Sequence, residues 1–249
     1  MTDAAPTPSV STAACLLIGN ELLNGKVEDQ NLAPLARTLR GRGVRLVTTS
    51  VVGDQLEVIA AEVRRLTSVA DMLVTSGGVG PTHDDVTLEG IARAFDAPLE
   101  SHPTLIAMLQ RLYASRCTEA HLKMARVPRA ARLLTSDAIT WPLVVFRNVW
   151  IFPGVPELFR MKLAILQQHV RGPITYYGRH AYTLLEEGDL KTELDRLVAL
   201  HPEVEIGSYP KWFDARYKTK VTFDAVNEDH VRAAHDAFCA VVPTVDIEE

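Results

Sequence analysis

Residues 74–87 read VTSGGVGPTHDDVT. An apolar run ends in a Gly-rich turn, two adjacent aspartates follow, and a helical pattern begins. The backbone N–H groups of such a turn, with the helix start behind it, can bind a phosphate. Two carboxylates beside an anion are electrostatically opposed to it unless a cation stands between them. Asp85, with Asp54 and Glu21, would hold a divalent cation bridging to phosphates on the loop. An oxygen-only ligand set of this kind suits Mg²⁺ or Mn²⁺. The same residues have a plainer reading. Thr82-His83-Asp84-Asp85 fits a capping box, with Thr82 at the N-cap and Asp85 at N3, in which the carboxylates merely complement the helix dipole. The loop lacks the Gly-Lys-Ser/Thr ending of a P-loop, and His83 stands where a dinucleotide fingerprint needs its third glycine. A simple strand-to-helix turn is therefore equally compatible with the spacing. His83 reads as a loop residue rather than a catalyst.

The elements around this loop come from the hydrophobic pattern. Residues 13–18 (AACLLI), 44–52 (VRLVTTSVV) and 71–75 read as strands. Helical spacing follows each, over 30–40, 55–66 and 86–95. Two more helices are expected at 102–115 and 119–125. Short strands at 143–146 and 149–152 flank Arg147-Asn148, a hairpin turn, and a helix runs over 156–170. Such alternation predicts an α/β fold, a three-layer, mostly parallel sheet with helices on both faces. Ligands bind outside the carboxyl ends of such strands. Four segments leave strands there: residues 19–25, 53–54, 77–85 and 153–156. With Ser76 just ahead of the third, they supply the candidate ligand contacts Gly19, Asn20, Ser76, Gly77, Gly78, Gly80, Thr82, Pro153 and Gly154. Asp54, Asp84, Asp85 and Glu21 are the candidate catalytic residues, and Asp54 and Asp85 the candidate metal ligands.

Arg171-Gly172-Pro173 breaks the pattern. Residues 1–12 are expected to be a disordered tail, 13–172 the large domain, and 173–249 a small β-α-β-β-α (α+β) domain. Its strands are expected at 181–185, 204–208 and 217–223, and its helices at 189–200 and 228–241. The net charge of −5 argues against a nucleic-acid surface. Cys15, Cys117 and Cys239 share no metal or redox spacing and read as buried side chains in a reducing compartment. No signal peptide and no membrane helix is evident, so the expected location is cytoplasmic, without a membrane partner. Trp141, Trp150 and Trp212 read as packing or interface residues.

GGVGPTHDDVT, with GNELLNGKVEDQN before it and FPGVPELF after it, resembles the MoaB/Mog-type molybdopterin-binding domain. The resemblance is to the CinA-like form, also found at the N-terminus of FAD synthases. It spans residues 13–170, and residues 206–210 (IGSYP) are similar to the small domain of that subgroup. It implies a three-layer α/β fold with its ligand in the glycine-loop crevice. In the Mog branch, an aspartate in the glycine-loop motif and one after the second strand matter for adenylyl transfer to molybdopterin. Asp85 and Asp54 stand at the matching places. CinA-like domains are instead associated with metal-dependent hydrolysis of ADP-ribose, and the FAD-synthase versions with hydrolysis of FAD. Asp84 and Glu21 are typical of the CinA side. The resemblance thus implies a pyrophosphatase using Mg²⁺, Mn²⁺ or Co²⁺ on a nucleotide diphosphate. The alternatives are molybdopterin binding or adenylylation, and a non-catalytic nucleotide- or pterin-binding module. A homo-oligomer, dimer or trimer, is also implied. The chain ends at Glu249, so the deamidase activity of long CinA proteins is not expected.

Overall fold

The computed structural model describes residues 10–136 and 139–247. Two compact units emerge, Met1–Pro173 and Ile174–Glu249. The first runs β1 (Thr12–Ile18), α1 (Asn20–Leu23), α2 (Leu32–Gly41), β2 (Arg45–Val52), α3 (Leu56–Val69), β3 (Met72–Ser76), α4 (Thr87–Ala94) and β4 (Leu99–Ser101). It continues through α5 (Pro103–Tyr113), a 3₁₀ turn (Ala114–Arg116), α6 (Glu119–Lys123), β5 (Arg126–Pro128), β6 (Arg132–Ser136), β7 (Ile139–Phe146), β8 (Val149–Phe152) and α7 (Pro156–His169).

Six of these strands form one sheet, in the order β2-β1-β3-β8-β7-β6. β1 pairs in parallel with β2 and β3, and β3 in parallel with β8. β7 pairs antiparallel with both its neighbours, so it alone runs against the rest. The expected hairpin joins β7 to β8, with Arg147 at φ 52°, the left-handed conformation a tight two-residue turn requires. β4 and β5 make a separate antiparallel pair.

The pleat explains the three layers. Successive side chains on a strand point to opposite faces. On β1, Ala14, Leu16 and Ile18 join Ile59, Val63 and Leu66 of α3 and Ile91 of α4 in one core. Ala13, Cys15 and Leu17 join Leu35 and Leu39 of α2 and Phe159, Leu163 and Leu166 of α7 in the other. A strand sandwiched this way must be apolar at every position, which is why AACLLI shows no alternation. Burial pushes the Cys15 thiol up to about 12, so it is inert packing. Cys117 and Cys239 are only half-buried, less than expected from the sequence.

Residues 1–9 of the expected tail lie outside the described residues. Its last three are tied down. The Val10 N–H donates to the Arg171 carbonyl, and the Ser11 and Thr12 N–H groups donate to the Asp71 carboxylate.

The second unit runs β9 (Tyr177–Thr183), α8 (Glu187–Leu200), β10 (Glu205–Pro210), β11 (Thr219–Ala225) and α9 (Glu228–Cys239). Its antiparallel sheet has the order β10-β11-β9. Leu190, Leu197, Phe223, Val231 and Phe238 fill a core of its own. Among the described residues no helix is long and apolar enough to cross a membrane.

Candidate functional site

The carboxyl ends of β1, β2, β3 and β8 carry the loops that the sequence singled out, and glycines let them approach. Gly77 sits at φ 107° and Gly78 at φ 64°, conformations open to glycine and strained for other residues. A Cβ on Gly77 would overlap the Ile18 carbonyl at the end of β1. One on Gly154 would lie 3.2 Å from the Gly77 Cα, so the β8 loop rests directly on the β3 loop. The Gly77 N–H donates to the Phe152 carbonyl at 3.2 Å. Behind the turn, the buried Thr87 hydroxyl donates to the Gly77 carbonyl at 2.8 Å, and the Thr87 N–H donates to the Gly78 carbonyl at 3.0 Å.

Asn31, the last residue of the GNELLNGKVEDQN motif but not one of the candidate contacts, ties these ends together. Its side chain is 4% exposed. Its Nδ2 donates to the Ser76 hydroxyl at 2.9 Å and to the Gly154 carbonyl at 2.8 Å. Ser76 is thus buried beneath the loop, bonded to Asn31.

The four acidic candidates divide. Asp85 lines the cleft beside the glycine loop, as does Glu21. The Asp85 Oδ2 accepts from the Thr82 N–H at 2.9 Å and lies 2.6 Å from the Thr82 hydroxyl. Helix α4 starts only at Thr87, with Val86 in the cap position. Asp85 therefore stands before the helix. The capping-box reading fails on that boundary, although the Thr82–Asp85 contact it expected is present within a turn. Asp84 is exposed and its carboxylate lies 2.5 Å from the Thr82 hydroxyl. That hydroxyl is the leading cause that holds the Asp84 carboxyl below the usual carboxylate range. Asp54 accepts the Asn20 N–H at 2.8 Å and so fixes the β1 loop against the β2 loop. The Glu21 carboxylate packs on Gly19 and has no hydrogen-bond partner among the described residues.

Lys123 answers the electrostatic objection to adjacent aspartates, and a second lysine, Lys162, lines the cleft; neither was singled out in the sequence. Lys123, at the end of α6, donates its Nζ to the carbonyls of Thr82 and Asp85, at 2.9 and 2.8 Å. Its charge thereby sits under the acidic turn. Lys162, on α7, is 7% exposed and donates to the carbonyls of Trp141 and Pro142, at 3.0 and 2.6 Å. Burial lowers its ammonium to about 8.

The cleft has a volume of about 830 Å³. Gly77, Gly78, Gly80, Glu21, Asp85, Pro153 and Gly154 form one wall. Leu88, Leu109, Leu112, Tyr113, Met124 and Trp141 lead the apolar remainder, and Lys162 also lines it. Gly19, Asn20, Ser76, Thr82, Asp54 and Asp84 are not among its lining residues. They support or border the loops instead.

Among the described residues no group of three or more His, Cys, Asp or Glu side chains forms a metal-binding cluster. The donors still fit one kind of ion. Mg²⁺ is commonly held by one or two carboxylates together with the phosphates of its ligand and water. Among the described residues Glu21 and Asp85 are the carboxylates lining this cleft, and Glu21 has no hydrogen-bond partner there.

Comparison with known proteins places this geometry in a family. Residues 14–171 match the model of a probable molybdopterin binding domain, and residues 175–249 that of a FAD synthase middle domain. A protein of Archaeoglobus fulgidus is 35% identical over 82% of this chain and 90% of its own length. A probable FAD synthase of Caenorhabditis elegans is 30% identical over 91% of this chain. The chain spans only 49% of that relative. The structure of CinA from Thermoplasma acidophilum superimposes with a TM-score of 0.59 at 32% identity, over 64% of this chain and 96% of that one. With a mostly parallel sheet, a glycine loop at its carboxyl edge and a matching second unit, the chain belongs to the CinA-like molybdopterin-binding domain family.

Proposed function

We propose that the cleft is a metal-assisted pyrophosphatase site for a nucleotide diphosphate such as ADP-ribose or FAD. The observation that carries this reading is that the glycine loop, Glu21 and Asp85 line one cleft whose remaining walls are apolar. The loop supplies backbone N–H donors for a phosphate. The apolar walls suit a nucleotide's ring and exclude bulk water. A divalent cation (Mg²⁺, Mn²⁺ or Co²⁺), held by Asp85 and Glu21, would supply charge neutralisation at the phosphoryl oxygens and a more acidic water. Asp54 and Asp84 act through the loops, by fixing the Asn20 amide and the Thr82 hydroxyl. The proton of the attacking water passes to solvent, and Glu21, with no hydrogen-bond partner among the described residues, is left to hold the cation. Water adds to one phosphorus, the bridging P–O bond breaks, and two monophosphates leave. The similarity to FAD synthases supports a flavin nucleotide among the substrates.

The test compares wild type with Asp85→Asn and Glu21→Gln on ADP-ribose and FAD, each with Mg²⁺, Mn²⁺ or Co²⁺. We expect turnover of at least one substrate, and a loss of ~10²-fold or more in Asp85→Asn, because Asn keeps the shape and removes the charged ligand. No wild-type turnover above a metal-only blank, with either substrate and all three metals, would sink hydrolysis.

A second reading, pterin binding or adenylylation in cofactor assembly, is supported by the family model matched over residues 14–171. Calorimetric titration with molybdopterin tests it independently of turnover.

A further inference from the structure

Lys162 is the feature of the cleft that hydrolysis does not use. It lies one turn beyond Leu158 on α7, the i, i+4 spacing that brings helical side chains together, and both line the cleft, as does the adjacent Met161. Two of its three N–H donors go to the carbonyls of Trp141 and Pro142. Among the described residues no carboxylate pairs with it. Burying an ammonium without a counter-charge is costly, and an apolar side chain of similar length would fill the same wall without that cost. Among the described residues nothing accepts the remaining N–H, and it and the uncompensated charge await an acceptor that enters the cleft.

The surroundings say what kind of acceptor. Leu112, Tyr113, Met124, Trp141 and Met161 line the same cleft. A hydrated phosphate is poorly matched to such walls, whereas a flat ring suits them. The glycine loop meets α7 at its start, where Gly154 rests on Gly77. From Pro156 to Lys162 is six residues, about 9 Å along the helix axis. A ligand whose phosphate sits on the loop thus reaches Lys162 with its ring.

We propose that Lys162 reads that ring: its ammonium donates the free N–H to a ring carbonyl oxygen, so the cleft prefers a carbonyl-edged ring, such as flavin or uracil, over adenine. Adenine offers ring nitrogens and an amino group in place of carbonyls, and the amino donor is repelled by an ammonium. This inference rests on the reading of the cleft as a nucleotide site, but not on hydrolysis. Of the two substrates proposed above it favours FAD, entering with its flavin end.

The experiment measures equilibrium binding of FMN, UMP and AMP to the full chain, as wild type, Lys162→Met and Lys162→Gln, with thermal melts to establish that each variant is folded. Wild type should bind FMN and UMP more tightly than AMP. Lys162→Met should weaken FMN and UMP by roughly tenfold to a hundredfold, the weight of a hydrogen bond to a charged group, and leave AMP within about threefold. Lys162→Gln retains a neutral donor and should recover part of the loss. A merely structural lysine would weaken all three ligands alike. Equal losses for all three, an unchanged preference in both variants, or a wild type that favours AMP or binds none of them would overturn the proposal. Hydrolysis is scored separately. Absent turnover with an intact, Lys162-dependent preference for FMN would remove the pyrophosphatase reading and leave this one standing.

Discussion

Asp85 accepts from the Thr82 N–H and shares the Thr82 hydroxyl with Asp84, and that contact holds its carboxylate toward the cleft. Its charge is not left alone, because Lys123 binds the carbonyls of the same turn. Among the described residues no carboxylate pairs with Lys162, and this sets a measurable pH dependence. Burial lowers its ammonium to about 8, against roughly 10.4 for a free lysine. Between those values the unfolded chain binds more protons than the folded one, so stability rises with pH there. Compared with Lys162→Met, wild type should gain up to roughly 3 kcal/mol between pH 8 and pH 10.5. Urea melts of both proteins across that range provide the check. Glu21, Asp85 and Tyr113 in the cleft, Glu157, Arg160 and His169 on α7, Arg37 and Arg40 on α2, and Arg132 on β6 are common to both proteins. The difference therefore isolates Lys162. A gap that stays constant with pH would mean the ammonium is not desolvated.

The glycine loop behaves as one piece with the strand that delivers it. Gly77 at φ 107° meets the Ile18 carbonyl where a Cβ would be. Gly77→Ala should cost about 1–3 kcal/mol or more from backbone strain alone and should pull the loop off β1. A denaturant midpoint unchanged from wild type would contradict this close packing. Much of this level was legible in the sequence. Doubly buried strands such as β1 and β3 are continuous apolar runs, and strand-to-helix alternation fixes where their loops gather. Short strands were not. β5 (RVP) contains a proline and β6 (RLLTS) no clear alternation. Each acquires its identity only from a partner, β4 or β7. The hydrophobic pattern placed α4 over 86–95, in agreement with its bounds, whereas the capping box put its start early because Thr82 and Asp85 form their bond in a turn, ahead of the helix. Asn31 stands in the cap position of α2, one residue past the expected helix start, yet its side chain makes no cap bond and crosses to Ser76 and Gly154 instead. Lys162 lies in PELFRMKLAILQQH, where a lysine on a helix reads as solvated. Only the packed fold reveals that it is buried.

At the scale of the molecule, the two units each carry their own core. The six-stranded sheet ends at β2, an edge strand on which Val47 and Val51 are 39% and 43% exposed. Open edges of this kind invite pairing with another chain, and oligomers of this sort close symmetrically. We expect a dimer or trimer, measured as mass by light scattering at micromolar concentration, with Val47→Lys shifting it toward monomer. A monomeric wild type would refute the expectation. The bonds from Asn31 have a further consequence, for the newborn chain. They join positions 45 and 123 residues apart. At ordinary translation speeds, Gly154 leaves the ribosome roughly 6 to 25 seconds after Asn31. Until then the mouth of the cleft has neither its β8 wall nor the α7 face behind it. If the cleft binds the proposed nucleotide, a nascent molecule is blind to it for that interval. Ligand cannot rescue a half-made sheet, and the first binding event certifies that the sheet is complete.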